Sequence, residues 1–354
     1  MEAEREKKRV LVAFSGGVDS TAAALLLRAA GYEVSAASLL LGGESAEAAR
    51  ASAEELGLPF ACIDAREAFR REVQDRFVAD YCAGYTPNPC LVCNRTMKFG
   101  LLLDRALALG YDALATGHYA RVVYDGDAGR YRLLRGRDRR KDQSYVLYQL
   151  TQRQLKHLLL PVGEYDKESI RALAERAGLS CAQRRDSQDI CFIPDGDYVR
   201  FLRDYGGVTP EPGDFTDASG RVLGRHRGLV AYTTGQRKGL GVSADRPLYV
   251  LRKNAADNTV LLGGEAELYS RTLTAERVNW IGGAPTGVLR CTAKTRYSQR
   301  ESACSVTLCE DGCVRVEFDE PQRAVTAGQA VVFYDGEECL GGGTIASSSG
   351  EARD

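Results

Sequence analysis

The chain lacks any run of 18 apolar residues, so no membrane span is expected. Its first residues, "MEAEREKKRVLVAF", are charged and carry no apolar core of a secretory leader, and a cytoplasmic protein is expected. It has almost no net charge, −1 over 354 residues, which removes any global electrostatic case for a nucleic-acid partner. Its 11 cysteines are an odd count and a poor disulfide framework. In a reducing compartment most should be thiols. No internal repeat and no low-complexity segment is present. Two nucleotide signatures are also missing: there is no Gly-Lys-Ser/Thr of a Walker loop and no Gly-x-Gly-x-x-Gly of a dinucleotide fold.

What is present is an ordinary globular composition, 44% hydrophobic and 27% charged, long enough for two or three domains. Over residues 9–120, short apolar runs ("RVLVAF", "EVSAASLLL", "PFACIDA", "DALATG") alternate with helical patterns. That alternation predicts an α/β fold with a doubly wound parallel sheet. A hairpin follows at 119–136, then helical patterns at 142–157 and 166–178. From about Gly206, Gly, Pro and short alternating runs predict antiparallel β structure. The expected division is a catalytic domain at 1–205, a small β-rich domain at 206–272, a β-barrel domain at 273–348 and a disordered tail at 349–354.

Cys62, Cys291, Cys304, Cys309, Cys313 and Cys339 sit in apolar or alternating segments and read as small buried hydrophobes. Charge is clustered although it balances. Arg130 to Lys141 holds seven basic residues and one acidic, and smaller basic spots lie at 183–186, 224–228, 235–239 and 294–300. Taken together they read as a local electrostatic footprint for a polyanion.

Two stretches carry chemistry. "AFSGGVDS", Ala13 to Ser20, joins the first strand to the first helix. Gly16 and Gly17 permit a tight turn and close approach, Ser15 and Ser20 add hydroxyls, and the helix supplies free amides. This is an anion site suited to phosphate. Its Ser-Gly-Gly-x-Asp-Ser order resembles the PP-loop of ATP pyrophosphatases, with the fold of adenine nucleotide α-hydrolases. "TPNPCLVCNRTMKFG", Thr86 to Gly100, places Cys90 and Cys93 on a proline-flanked segment read as a loop. By themselves these thiols could be a zinc half-site, a redox dithiol, a cluster anchor or a nucleophile with its partner.

With those stretches in hand, the chain resembles the bacterial tRNA-specific 2-thiouridylases. The resemblance rests also on "ATGHYAR" at 115–121, "KDQSYVLYQL" at 141–150, "SQDICFIPDGDY" at 187–198 and "YTTGQRKGLG" at 232–241. It continues with "AKTRY" at 293–297 and "RAVTAGQAVVFYDGEECLGGG" at 323–343, in family order over nearly the whole chain. The resemblance implies ATP-dependent replacement of the uridine-34 C2 oxygen by sulfur in a tRNA anticodon, releasing AMP and pyrophosphate. It implies that Cys191 carries a persulfide and that Cys93 releases the sulfur through a transient disulfide. ATP would bind at Ala13, Phe14, Ser15, Gly16, Gly17, Val18, Asp19, Ser20, Leu39 and Gly117. Asn88, Pro89 and Cys90 would meet the target base. Lys141, Asp142 and Gln143, with Arg296 and Tyr297 of the C-terminal domain, would contact tRNA. Mg2+ would accompany ATP. The partners implied are Glu, Gln and Lys isoacceptors and a cysteine desulfurase or sulfur carrier, and the enzyme is expected to be a monomer.

The chain departs from the family pattern twice. Cys90 stands where most relatives have Asp, which adds a third thiol to Cys93 and Cys191. Three cysteines can also hold a [4Fe-4S] cluster that presents sulfide. After the second strand, "SLLLGGESAEAAR" lacks the usual acidic, tryptophan-containing insertion. The rival readings are a different PP-loop ligase, a cluster-dependent tRNA thiolase and a non-catalytic paralogue that binds tRNA or nucleotide. The non-catalytic one would predict decay at Asp19, Ser20, Cys93 or Cys191, and all four are intact.

Overall fold

A computed structural model describes residues 7–42, 46–184 and 190–348. The expected disordered tail lies outside the described residues.

Strands β1 (Arg9–Ala13) and β2 (Glu33–Leu40) pair in parallel and are joined by helix α1 (Val18–Ala29). β3 (Phe60–Asp64) adds beyond β2, and β4 (Ala113–Ala115) adds on the other side of β1. The chain then leaves the sheet as a hairpin, β5 (Ala120–Asp125) and β6 (Arg130–Arg135), and returns as β7 (Leu158–Leu159) beside β4. The result is a five-stranded parallel sheet, order β3-β2-β1-β4-β7. Alternation along β1 serves two cores. Val10 and Val12 pack beneath α1 and the helix Lys167–Arg176, while Leu11 faces Phe99, Leu102 and Leu103. A strand covered on both faces reads as a continuous apolar run, and "VLVA" does.

Three local expectations are corrected. The segment with Cys90 and Cys93 is helical, not a loop: Pro89–Cys93 runs directly into the helix expected from Asn94, which is a wide-turn stretch at Asn94–Leu102 followed by Leu103–Ala108. Proline fits the first helical turn, where its missing N–H costs nothing, so Pro89 starts a helix. Residues 142–157 are not one helix. A 3-10 turn at Ser144–Leu147 is followed by a helix at Gln152–Lys156, which Thr151 and Gln154 cap reciprocally. Tyr145, Leu147, Tyr148 and Leu150 are all buried, so their apolar spacing reflects burial on every side. Cys62 is exposed because β3 is the sheet edge, with a mostly open burial pattern.

The central part is a four-stranded sheet of β8 (Gly213–Thr216), β9 (Val222–His226), β10 (Tyr249–Asn254) and β11 (Thr259–Gly263), order β10-β11-β8-β9. Its β11–β8 pair is parallel, against the antiparallel expectation. The C-terminal part contains β12 (Tyr269–Trp280), β13 (Leu289–Lys294), β14 (Ser302–Leu308), β15 (Val314–Arg323), β16 (Ala330–Asp335) and β17 (Glu338–Ser348). The order β12-β15-β14-β13-β16-β17 closes through a β12–β17 pairing into a six-stranded barrel. Val306, Val316, Phe318, Val331 and Phe333 fill it.

The barrel is tied to the first domain by strand pairing. The start of β17 pairs with β6, Glu338 opposite Leu134 and Cys339 opposite Leu133. Here the basic stretch Arg130–Lys141 finds its partners. Glu338 accepts from Arg130 at 2.6 Å and Arg132 at 2.7 Å. Arg135 pairs with Glu301 and lies over the Tyr334 ring at 3.8 Å. Arg137 meets Glu164, Arg139 meets Glu337, and Arg140 meets Asp138. At Arg130, Arg132, Arg135 and Arg139 the basic stretch forms a clasp between domains, whereas Arg137 and Arg140 pair within the first domain.

Glu338 is only 6% exposed, so its removal leaves Arg130 and Arg132 without their shared acceptor. Both arginines are partly open to water, so the cost is discounted from that of a fully buried pair to about 2 kcal/mol. Glu338→Ala should lower the urea midpoint without changing the denaturant slope; an unchanged midpoint would show that the clasp adds no stability.

Candidate functional site

The loop Ser15–Gly17 sits between β1 and α1, and Gly17 caps α1 without any side-chain acceptor. The first amides of α1 therefore face the loop without a capping side chain, at the positive end of the helix. Gly16 has φ +72°, and a Cβ there would lie 2.7 Å from the Ala48 carbonyl oxygen. Gly117 presses against the same turn: a Cβ would lie 2.7 Å from the Asp19 carbonyl carbon and 2.8 Å from the Ser20 nitrogen. Both positions are closed to any larger residue. Ser15 and Ser20 hydroxyls lie 3.3 Å apart, the Ser20 hydroxyl accepts from the Ser15 amide at 3.3 Å, and it donates to the Gly17 carbonyl at 3.1 Å. The hydroxyls thus line a preformed cradle. Phe14 donates its amide to Ala37 of β2, and Ser38 donates to the Phe14 carbonyl, which locks the loop's entry.

Asp19 is held by groups from distant segments. Lys167 Nζ bridges its two oxygens at 2.7 and 2.9 Å, and the Tyr119 hydroxyl donates to Oδ1 at 2.7 Å. Arg184 Nη1 donates to the Gly16 carbonyl at 3.1 Å. Sequence reasoning missed Lys167 and Arg184. Lys167 lies in a helical pattern with no motif, and only its 8% exposure in the folded chain marks it out. Arg184 belonged to one of the unassigned basic spots.

The cysteine helix begins at Asn88, whose Oδ1 accepts from the Cys90 amide at 3.1 Å. Asn88 thus caps the turn that carries the thiols, and Pro89 is buried in its first position. Cys93 lies at the edge of an apolar cluster centred on Ala65, Phe69, Val73 and Met97. Leu39, at the carboxyl end of β2, and Phe192, next to Cys191, pack on that same cluster. Phe192 is anchored further by edge contacts with Phe69 and Phe77. The turn bearing the exposed Cys191 is therefore fastened beside Cys93 and beside the nucleotide side of the sheet.

The barrel completes this face. Thr86 donates its amide to the Ala327 carbonyl at 3.1 Å, and Gln329 Nε2 donates to the Thr86 carbonyl at 2.6 Å. From the central part, Lys253 Nζ donates to the Tyr85 carbonyl at 3.3 Å. Burial pushes that ammonium down to about 8. A cavity of about 190 Å³ opens at this three-way junction, lined by Tyr85, Lys253 and Thr326 among others, and lies away from the phosphate loop. Tyr297, 42% exposed, meets the Tyr145 ring edge-on at 5.9 Å, and its hydroxyl is raised by burial first, then by the Asp142 carboxylate and by Cys90.

Electrostatics at the thiols oppose their ionisation. Burial raises both Cys90 and Cys93, and the Lys98 ammonium pulls them partly back. Cys90 is open to solvent by surface area, yet enough protein crowds its sulfur to disfavour the anion. His118 is held well below its ordinary range by burial and then by Lys98, so its ring is neutral. Its Nδ1 lies 2.6 Å from the Thr116 hydroxyl.

Of the residues expected at tRNA, several are committed inside the protein. Asp142 is buried and accepts from the Gly136 and Ser144 amides and the Ser144 hydroxyl. Gln143 Oε1 accepts from the Tyr119 amide at 2.9 Å. Arg296 Nη2 donates to the Thr234 and Ala324 carbonyls and the Thr326 hydroxyl, bracing the central part against the barrel. These three shape the loops beside Lys141 and Tyr297. Among the described residues, the one group of three metal-ligand side chains within 4.8 Å is Cys309, Asp311 and Cys313, at the far β14–β15 turn.

Comparison with known proteins matches three family profiles in succession. They are described as a tRNA methyl transferase HUP domain over residues 8–195, a tRNA methyl transferase PRC-barrel domain over 199–264, and an aminomethyltransferase beta-barrel domain over 270–345. Curated relatives match nearly end to end. The tRNA-specific 2-thiouridylase MnmA of Acetivibrio thermocellus is 45% identical, covering 96% of this chain and 99% of the relative. That of Carboxydothermus hydrogenoformans is 47% identical, with 96% and 98% covered. That of Syntrophomonas wolfei is 48% identical, with 95% and 99% covered.

Because burial holds Cys90 and Cys93 in the thiol form, their thiolate fraction grows only toward alkaline pH. The alkylation rate of both by iodoacetamide should still be rising at about pH 9, above the range of a free cysteine. Lys98→Met removes the one favourable charge and should shift both curves further up. A plateau near neutrality would show that the thiols are already ionised.

Proposed function

The chain belongs to the tRNA-specific 2-thiouridylase family, and we propose that the site described above makes 2-thiouridine in tRNA by ATP-dependent sulfur transfer. The observation that carries this reading is the shared apolar cluster: Leu39 from the nucleotide side, Cys93 from the capped helix, and Phe192 from the Cys191 turn all pack on it. An activating nucleotide and two thiols therefore serve one point. Neither methyl transfer nor aminomethyl transfer, the words attached to the matching profiles, explains a phosphate cradle beside two cysteines. Thiolation does.

The chemistry follows. The C2 oxygen of uridine-34 is a very poor leaving group. It attacks the α-phosphorus of ATP, pyrophosphate departs, and the oxygen becomes part of an AMP ester. The Ser15–Ser20 cradle and the α1 amides hold the phosphates at the helix N-terminus, where anions are stabilised. Asp19, the loop's one carboxylate, is bridged through both oxygens by Lys167, and Mg2+ would arrive with the ATP phosphates and supply neutralising charge there. A Cys191 persulfide then attacks C2 with its terminal sulfur, and AMP leaves with the original oxygen. The Cys93 thiolate attacks the Cys191 sulfur, which breaks the S–S bond. C2 keeps the sulfur as a thione, and the two cysteines form a disulfide that a thiol reductant reopens. Burial of Cys93 favours its thiol form in the resting site.

Tyr297, Lys141 and the Asn88–Cys90 turn line the face that receives the anticodon, whose bases are cheapest to splay in a single-stranded loop. Asp142, Gln143 and Arg296 support that face from within. The tRNA set is that of the Glu, Gln and Lys isoacceptors, the sulfur donor is a cysteine desulfurase or carrier, and the protein acts as a cytoplasmic monomer. No helix among the described residues is long and apolar enough to cross a membrane. The division at about residues 205 and 273 is supported by the four-stranded sheet of β8 to β11, which lies between the parallel sheet and the barrel in the chain.

Cys90 favours a second reading. It lies on the same short helix as Cys93, close enough for its charge to bear on that thiol, and Cys191 is fastened nearby through Phe192. Cys90, Cys93 and Cys191 would hold a [4Fe-4S] cluster, which when bound would offer an iron position for inorganic sulfide.

Cys93→Ser and Cys191→Ser should each abolish 2-thiouridine formation while ATP and tRNA affinities stay within about twofold, since neither thiol contacts the cradle. Thiolation by either variant would remove that cysteine from the scheme. Cys90→Ala separates the two readings. Activity of the iron-free variant with a persulfide donor supports the relay. Parallel loss of iron, sulfide and activity supports the cluster.

A further inference from the structure

The stretch Ala13–Ser20 contains one acid, Asp19, and no base, so it carries no cation to balance a triphosphate. Two cations are nevertheless brought to it. Lys167 reaches Asp19 through both carboxylate oxygens, and Arg184 reaches the Gly16 carbonyl. They come from either end of one unit. Lys167 opens the helix Lys167–Arg176 behind its Asp166 cap, and Arg171, one turn on, donates to the Ala182 and Arg184 carbonyls. A single helix thus fixes both cations against the loop. Lys167 is buried and its ammonium lies on a carboxylate, whereas Arg184 is exposed and its guanidinium rests on a lone carbonyl.

We propose that Lys167 and Arg184 form the pyrophosphate subsite of this loop, neutralising the β- and γ-phosphates of ATP and the pyrophosphate that leaves. The proposal rests on the reading of the loop as an ATP site. The loop amides and serine hydroxyls hold the phosphates by neutral donors, and the two side chains supply the positive charge that other phosphate loops carry within their own sequence. With no nucleotide bound, Asp19 occupies Lys167. When the phosphates arrive, the lysine keeps one carboxylate oxygen and turns donors to the incoming anion, for which an ammonium has three. The charge matters most as the α–β bond breaks, because the departing pyrophosphate gains negative charge.

The test is equilibrium binding of magnesium pyrophosphate and, separately, of AMP to the full chain. Arg184→Gln, at an exposed position that does not threaten folding, should weaken pyrophosphate binding about tenfold, the size of one charged hydrogen bond, and leave AMP binding unchanged. Lys167→Met should weaken pyrophosphate binding at least as much, and Lys167→Arg should recover part of the loss. Equal pyrophosphate affinity in wild type and Arg184→Gln would overturn the subsite while leaving the ATP reading in place. Wild-type protein that binds neither pyrophosphate nor ATP would overturn both. A merely structural lysine would weaken AMP and pyrophosphate alike, which also counts against the proposal.

Discussion

The pairing of β6 with β17 is the constraint from which the site's geometry descends. A hairpin of the nucleotide domain reaches out of its own sheet and adds to the barrel wall, where Glu338 and Cys339 meet Leu134 and Leu133. Backbone pairing sets register, and the side chains enforce it: Cys339 and Leu133 are fully buried, and Glu338 is shared by two arginines. Because the barrel is fixed at this seam, its loop at 324–330 lands on Tyr85 and Thr86, just ahead of the cysteine helix. A barrel free to rotate would leave Tyr297 nowhere in particular. Held at the seam, it stands beside Cys90.

The two helix thiols are biased toward their neutral form. Burial favours the neutral form at Cys90 and Cys93, and Lys98 only softens that preference. Such an arrangement suits an enzyme whose activated base would be destroyed by water or captured by the wrong sulfur. A thiol that ionises only when the site is filled attacks only then. The wide-turn stretch Asn94–Leu102 follows directly on Cys93, and departures of this kind are frequent at working sites. Cys191 is built differently. It is exposed on a turn, held by an aromatic anchor at its neighbour.

The parallel sheet and the tight turn after its first strand are written locally, in apolar runs and glycine positions, and were readable in the sequence. The glycines are a good example: Gly16 needs its positive φ, and Gly117 has no room for a methyl group. What could not be read depends on partners distant in the chain. Arg130–Lys141 looks like an RNA patch until Glu301, Glu337 and Glu338 arrive from the barrel. Asp142, Gln143 and Arg296 look like polar contacts for a ligand, and each also makes hydrogen bonds to distant parts of its own chain that no local pattern announces. Lys167 carries no local mark, because a lysine acquires meaning only from the carboxylate it meets. The helical start at Pro89 was readable in principle. Proline before a cysteine pair suggests a bend, but Asn-Pro is also a cap followed by a first-turn residue, and the Asn88–Cys90 bond decides for the helix.

That cap has a consequence for the extra thiol. With Asn88 capping and Pro89 buried, Cys90 sits in the first turn, where its direction is set by the helix and not by a flexible loop. An aspartate at this place would lie at the positive end of a short helix and gain from it, as carboxylates do. A neutral thiol gains much less, and burial makes its anion costly. Replacing the acid by cysteine therefore exchanges a charge that the fold stabilises for a group that the fold keeps neutral. The exchange is unfavourable for acid–base work at the base. It becomes favourable once something electropositive binds the sulfur, or once the sulfur is required as sulfur. Either way, the residue at 90 is selected by what it meets in the assembled site, between Lys98 and Tyr297, rather than by the helix that carries it.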